Sequence, residues 1–349
     1  MKRVYVFVVL MCVALLCIHW QMPSPGAINQ GGRRSLNERL GYSNDAKLLI
    51  VHADDLGATH SVNAATLKAF ETGLINSGSM LVPCREFPAI ADYARKHPEA
   101  DLGIHLALTS DFEDLKPVLP KSKVPSLVDK KGYFYYQWIG ATKPDPLGAE
   151  VEVRAQVERA RLRGQSWTDV TKINPREVEA EIRAQIARAY KFGVKPTHLD
   201  SHQARLYRHN RSLLDVILRV AREYKLPINI AHNRIAQWHW VDAYASLKSD
   251  NIVLDKIVTI SPDIKAEQWE NWYVNEIKQI VPGVTEFLIH LAYDDEDMRA
   301  FTHNSIEWGA KWRQRDLDFF TSDKFRQLLK ENNIKLVTWR QVRELITKP

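Results

Sequence analysis

The stretch Lys47-Leu-Leu-Ile-Val-His-Ala-Asp-Asp-Leu-Gly57 constrains the fold more than any other part of the chain. Leu48, Leu49, Ile50 and Val51 follow one another without a polar break, the pattern of a strand buried on both faces. The run ends in two adjacent carboxylates, Asp54 and Asp55, and then Gly57. Charge set beside a core costs free energy unless a metal ion or hydrogen-bond donors receive it. Strand C-termini are also where α/β enzymes place their chemistry. The competing use of Asp54 is to cap the helical pattern that resumes near Ser61.

At 349 residues the chain is long enough for one α/β barrel or two smaller domains. A net charge of +6 does not imply nucleic acid, because the basic residues are interspersed with acids. The densest basic stretch, Arg154, Arg159, Arg161 and Arg163, has Glu150, Glu152 and Glu158 within it and reads as a solvated helix face.

Residues 1–20 read as an export signal or short anchor. Lys2 and Arg3 precede an apolar run from Val4 to Ile18, which is short for a membrane span of about 20 residues. The expected location is therefore outside the cytoplasm, with membrane attachment only through this segment. Residues 21–44, rich in Pro, Gly, Ser and Asn, read as a linker, and 45–349 as one catalytic domain. Cys12 and Cys17 fall in the signal, so Cys84 alone remains and a disulfide framework is excluded.

Beyond Gly57 strand and helix patterns alternate. Strands are expected at 76–83, 101–109, 196–202, 227–232, 257–260, 283–290 and 334–338. Helices are expected at 61–73, 88–96, 150–164, 175–193, 210–224, 266–280, 316–331 and 340–346. A long insertion at 110–146 carries a Tyr133-Phe-Tyr-Tyr136 cluster and Trp138, while Trp238 and Trp240 flank His239; such aromatics suit a sugar face or core packing. The fold class is α/β, a distorted (β/α) barrel of about seven parallel strands. No glycine-rich phosphate motif follows any strand.

In such a barrel the strand ends share one rim. His105, His198, Asp200, His202 and His290 all fall at expected strand ends, as do Asp54 and Asp55. Two imidazoles and a carboxylate form a common facial set for a divalent cation, and Asp55, His105 and His202 are the candidates. Neighbouring residues project differently, so one carboxylate can hold the ion while the other lies near its water, and a free carboxylate can remove that water's proton. Asp200, between His198 and His202, suits a partner that fixes a ligand tautomer. His60 opens a helix near the acidic pair and is a candidate substrate contact. The arrangement suits hydrolysis.

Three ordered blocks carry a family resemblance: Ala53-Asp-Asp-Leu-Gly57, Gly103-Ile-His105 with Leu-Ala-Leu-Thr109, and Pro196-Thr-His-Leu-Asp-Ser-His202. Together they resemble the YdjC-like carbohydrate deacetylases, also called the ChbG/HpnK family. Val124-Pro-Ser-Leu127 with Gly132, and Pro282-Gly-Val-Thr-Glu286 with His290, are similar to two further family blocks. The resemblance implies a barrel related to polysaccharide deacetylases and metal-dependent removal of acetyl groups from N-acetylated sugars. It matches Asp54 to the base, Asp55, His105 and His202 to the ligands of one divalent ion (magnesium or zinc), and His290 to a general acid. Two blocks depart from the family pattern. The third continues as Ser201-His-Gln-Ala-Arg205 and lacks a further imidazole, and the late block reads His290-Leu-Ala-Tyr293 in place of His-Pro-Gly. Both put substrate preference in question. The alternatives are another metallohydrolase on the same rim, acting on an ester or phosphoester, and a silent carbohydrate-binding protein. Oligomeric state is undetermined by sequence.

Overall fold

A computed structural model describes residues 34–110, 114–139, 166–204, 211–235, 251–261 and 263–347, together with 157, 158, 161 and 247. The expected export signal, most of the expected helix at 150–164, and Trp238, His239 and Trp240 lie outside these residues.

The strands are β1 (Lys47–Leu56), β2 (Ser77–Met80), β3 (Leu102–Leu106), β4 (Gln137–Ile139), β5 (Trp167–Asp169), β6 (Leu199–Ser201), β7 (Lys256–Thr259), β8 (Gly283–Ile289) and β9 (Ile334–Leu336). Seven of them form one sheet with the order β6-β3-β2-β1-β8-β7, in which β9 also pairs with β1; β4 and β5 form a separate pair. Every pairing between these strands is parallel. β8 lies along one edge of β1 from Lys47 to Ala53. The other edge is shared, with β9 beside Lys47–Leu49 and β2 beside His52–Leu56.

The sheet is a half-barrel. Between its outer strands, β6 and β7, the described residues make only isolated bridges, Leu199 to Ile228 and Ala231 to Leu254. The strand expected at 227–232 is thus reduced to single bridges, and a helix at His232–Ile235 follows at once.

β1 organises the interior by alternation, since successive side chains of a strand point to opposite faces. Leu49, Val51 and Ala53 face outward onto a cluster with Ala65, Ala69, Tyr273, Phe287 and Phe320. Leu48 and Ile50 face inward onto Leu254, Val284, Val337 and Trp339. His52 and Asp54 continue the inward series, so a column that begins apolar becomes polar towards the strand's C-terminus.

One expectation is corrected. The stretch taken as linker is folded in its second half. Ser35 and Glu38 form a capping box on a short helix, Leu36–Arg39. Buried Asn37 donates to the Ala46 carbonyl at 2.8 Å, and Leu36, Leu40 and Tyr42 pack beneath β1. The Ser-x-x-Glu spacing is the sequence signal for this helix. Of the two uses open to the insertion's aromatics, Trp138 takes core packing, at 1 % exposed.

Candidate active site

The residues expected at one rim meet there because four strands reach it in register. His105 on β3 sits opposite Asp200 on β6. Asp54 and Asp55 end β1 beside β8, whose register places Ala53 against Ile289, one residue short of His290. Neighbouring residues of a regular strand would diverge, yet both carboxylates face the site. The β1–β2 register breaks between Ala53 and Leu56, and Asp55 has φ +68°. That left-handed conformation is costly for a residue with a Cβ and is held here by its surroundings. Gly57 completes the turn at φ +92°, where a Cβ would sit 3.2 Å from Phe87 Cα and 3.3 Å from the Leu81 carbonyl, closer than ordinary contact.

Asp55 Oδ1 lies 3.4 Å from His105 Nε2 and 3.4 Å from His202 Nδ1, and the two ring nitrogens are 3.2 Å apart. No hydrogen-bond donor reaches that oxygen, although it is buried. A four-coordinate ion with ligands at about 2.0–2.1 Å separates its ligand atoms by about 3.3–3.4 Å. The donor set therefore fits a divalent cation, and two imidazoles with one carboxylate are chemically suited to it.

The other oxygen, Asp55 Oδ2, accepts from Arg313 at 2.8 Å. Burial would raise the Asp55 carboxyl, but the Arg313 guanidinium, with His105 and His202, outweighs it and holds the group well below the usual carboxylate range. Arg313, itself 1 % exposed, is placed by donating through Nε to the Trp308 carbonyl at 2.8 Å. Nothing in the sequence pattern of the helix Ala310–Phe320 marks this residue, because its partner is 258 positions away.

Asp200 supports the set from behind. Its Oδ1 lies 2.9 Å from His105 Nδ1, which orients the imidazole so that Nε2 faces Asp55. Its Oδ2 accepts from Ser79 at 2.8 Å. Asp54 sits beside the three candidate ligands, with Oδ2 4.0 Å from His105 Nε2 and 3.7 Å from His290 Nε2.

Beneath them lies a residue that sequence reading passed over. His52 is fully buried, its ring nitrogens 3.1 Å from the hydroxyls of Ser77 and Ser79. Three carboxylates surround it: Asp54 at 3.2 Å, Asp200 at 3.3 Å and Glu286 at 3.4 Å. Burial would depress its pKa, but hydrogen bonds to Asp200 and Asp54 and the charge of Glu286 prevail and raise it to about 10. His52 is thus a buried cation under an acidic site. Glu286, pushed up to about 8 by burial, accepts from Trp339 Nε1 and Asn229 Nδ2, both at 2.7 Å.

His290 enters from the end of β8. Its backbone N–H donates to Asp316 at 3.1 Å, and its ring meets Trp308 edge-on with centroids 4.7 Å apart. Burial pushes its imidazole down to about 4. His198 lies deeper, stacked on Trp339 and donating to or accepting from Thr197 Oγ1 at 3.0 Å. Its ring occupies the space that a Cβ at Gly103 would need. His198 is therefore apart from the Asp55–His105–His202 triangle. His60 is exposed at the first position of the helix His60–Phe70 and is not drawn into the cluster.

A family model described as YdjC-like protein matches residues 48–331. The chain belongs to the YdjC-like family. Curated YdjC-like relatives include the carbohydrate deacetylase of Enterococcus faecalis, 27% identical over 301 residues, covering 85% of this chain and 98% of its own. That of Brevibacillus brevis is 28% identical over 299 residues, covering 84% and 99%. A solved structure from Enterococcus faecalis V583, whose description names cellobiose-phosphate cleavage, matches with a TM-score of 0.64 at 28% identity, covering 85% of this chain and 99% of that one.

Proposed function

We propose that this YdjC-like protein is an amide hydrolase that removes acetyl groups from N-acetylated carbohydrates, using a divalent cation held by Asp55, His105 and His202. The observation that carries the reading is the triangle of Asp55 Oδ1, His105 Nε2 and His202 Nδ1, with edges of 3.2–3.4 Å and Asp54 beside it. The relatives named carbohydrate deacetylases supply the substrate class. Two imidazoles and a carboxylate suit zinc, and a carboxylate with open positions for water also suits magnesium.

A cation bound there supplies Lewis-acid polarisation of the acetyl carbonyl and an acidified water. The chain's own groups manage the protons. Asp54 Oδ2 takes a proton from the water as the water oxygen bonds to the carbonyl carbon. The carbon–nitrogen bond then breaks, and the nitrogen receives a proton. The products are acetic acid and the free amine, which exchange one proton on release to give acetate and the ammonium form, and Asp54 returns to its carboxylate. His290, the candidate general acid, is neutral near pH 7 because burial holds it at about 4. It can therefore hand the leaving nitrogen only a proton it has just received, and Asp54 Oδ2, 3.7 Å away, is placed to supply one. Arg313 keeps Asp55 a one-oxygen ligand, and Asp200 holds the His105 ring.

The test is acetate release from N-acetylglucosamine oligomers by the full chain, before and after chelation and after zinc or magnesium is restored. Release that stops with chelator and returns with metal supports the reading; release untouched by chelation, or none under any condition, refutes it. We also propose export directed by residues 1–20. Cell fractionation that finds the protein wholly in the cytoplasm would contradict that.

A further inference from the structure

A cleft opens directly onto the candidate metal ligands, and its lining is of two kinds. Asp55 and His202 are among its lining residues; Ala58, Leu81, Cys84, Leu115 and Phe301 make up most of the rest. The remaining lining residue, Thr109, turns its hydroxyl to Gln203 Oε1 at 3.4 Å.

The apolar side belongs to a small satellite core at the strand ends, separate from the large clusters that pack the sheet. That core is built from short side chains: Ala58, Ala107, Ala292, Ala310 and Cys84 with Val62, Leu81 and Met298, while Leu115 and Phe301 pack against it partly buried. Alanines at a rim leave space that leucines would fill. Part of the lining is held in packed core, with Leu81 5 % and Ala58 2 % exposed, while Leu115 and Phe301 are partly buried.

We infer that this cleft is the acyl pocket: it seats the methyl of the acetyl group against Leu81, Ala58, Leu115 and Phe301 while the carbonyl faces Asp55 and His202. The inference rests on the deacylation reading and adds to it the residues that set acyl length. A two-carbon acyl group matches both sides, its carbonyl on the polar wall and its methyl on the apolar one. Each further methylene meets the buried Leu81 and Ala58 or must push Phe301 and Leu115 aside. In apolar pockets one methylene changes kcat/KM by about 10–200-fold.

The test uses full-length, zinc-loaded protein and p-nitrophenyl acetate, propionate and butyrate, so that acyl selectivity is read independently of the sugar. The wild type should prefer acetate to butyrate at least tenfold in kcat/KM. Leu81→Ala and Phe301→Ala should each shrink that ratio at least fivefold, with zinc content unchanged. Phe301 is only partly buried, so its variant keeps the test alive if Leu81→Ala does not fold. An acyl profile unaltered in the folded variants overturns the inference, as does a wild type that fails to discriminate among the esters or hydrolyses none of them. Shifted ester profiles without acetate release from N-acetylated sugars would leave the pocket standing and remove the sugar.

Discussion

Asp54 and Asp55 are neighbours with different work, and the left-handed turn at Asp55 is what separates them. Replacing Asp54 by Asn should leave the ion bound and lower kcat by about 10²–10⁴-fold, the range for losing a general base. Asp54→Asn with full activity would show that the base lies elsewhere. Arg313 touches Asp55 Oδ2 in a fully buried pair. Arg313→Met would leave the Asp55 charge without its partner, a loss of about 3–5 kcal/mol for buried pairs. It should also weaken metal affinity about 10–100-fold, as removal of a ligand's supporting partner does. Calorimetric zinc titration and thermal melts measure both, and unchanged values in both would remove Arg313 from the account. The ligand candidates were readable in the sequence because His and Asp recur at strand ends. Arg313 was not, because its role depends on a helix far along the chain folding back over β1.

At the scale of elements, the inward series of β1 and β8 stacks Glu286, His52 and Asp54 into one polar column. His52 has a folded pKa of about 10, above its ordinary value of 6.5, and Glu286 one of about 8, above 4.5. For both groups the folded form binds protons more tightly than the unfolded chain does. Their contribution to stability is therefore complete at low pH and lost as pH rises through the folded values. The metal-free protein should thus lose the Glu286 contribution between about pH 4.5 and 8 and the His52 contribution between about pH 6.5 and 10, and His52→Gln should flatten the second part of that slope. Melts recorded across that range decide it; identical slopes in the two proteins would contradict the assignment. Parity in β1 was visible in the sequence as an apolar run, but a single histidine inside such a run reads equally well as a packed core residue. Only the placement of Ser77, Ser79, Asp200 and Glu286 around it makes it a buried cation. The β1 bulge was also hidden, since alternation alone sends Asp54 and Asp55 to opposite faces.

At the scale of the molecule, the half-barrel makes the site a convergence of strands distant in sequence, and its lower end is covered by the helix Leu36–Arg39. Removing residues 1–33 should leave folding and activity intact. Starting the chain at Lys47 strips Leu36, Leu40 and Tyr42 from the cluster beneath β1. It should lower thermal stability by several degrees, about 4–8 °C per kcal/mol in small domains and less in a chain of this size. Equal melting temperatures for the two truncations would show that this helix adds nothing. The alternation of strand and helix announced the parallel architecture. The open seam between β6 and β7 did not show, because the 227–232 segment has a strand-like composition and yet forms only single bridges.

The central claim is that Asp55, His105 and His202 together hold one divalent ion while Asp54 stands free of it. The direct measurement is zinc stoichiometry by plasma emission on purified, zinc-saturated, desalted protein: wild type, Asp54→Asn, His105→Ala and His202→Ala. The account predicts one ion per chain in the first two and almost none in the last two. Retention of the ion by folded His105→Ala or His202→Ala, or its loss from Asp54→Asn, would contradict it.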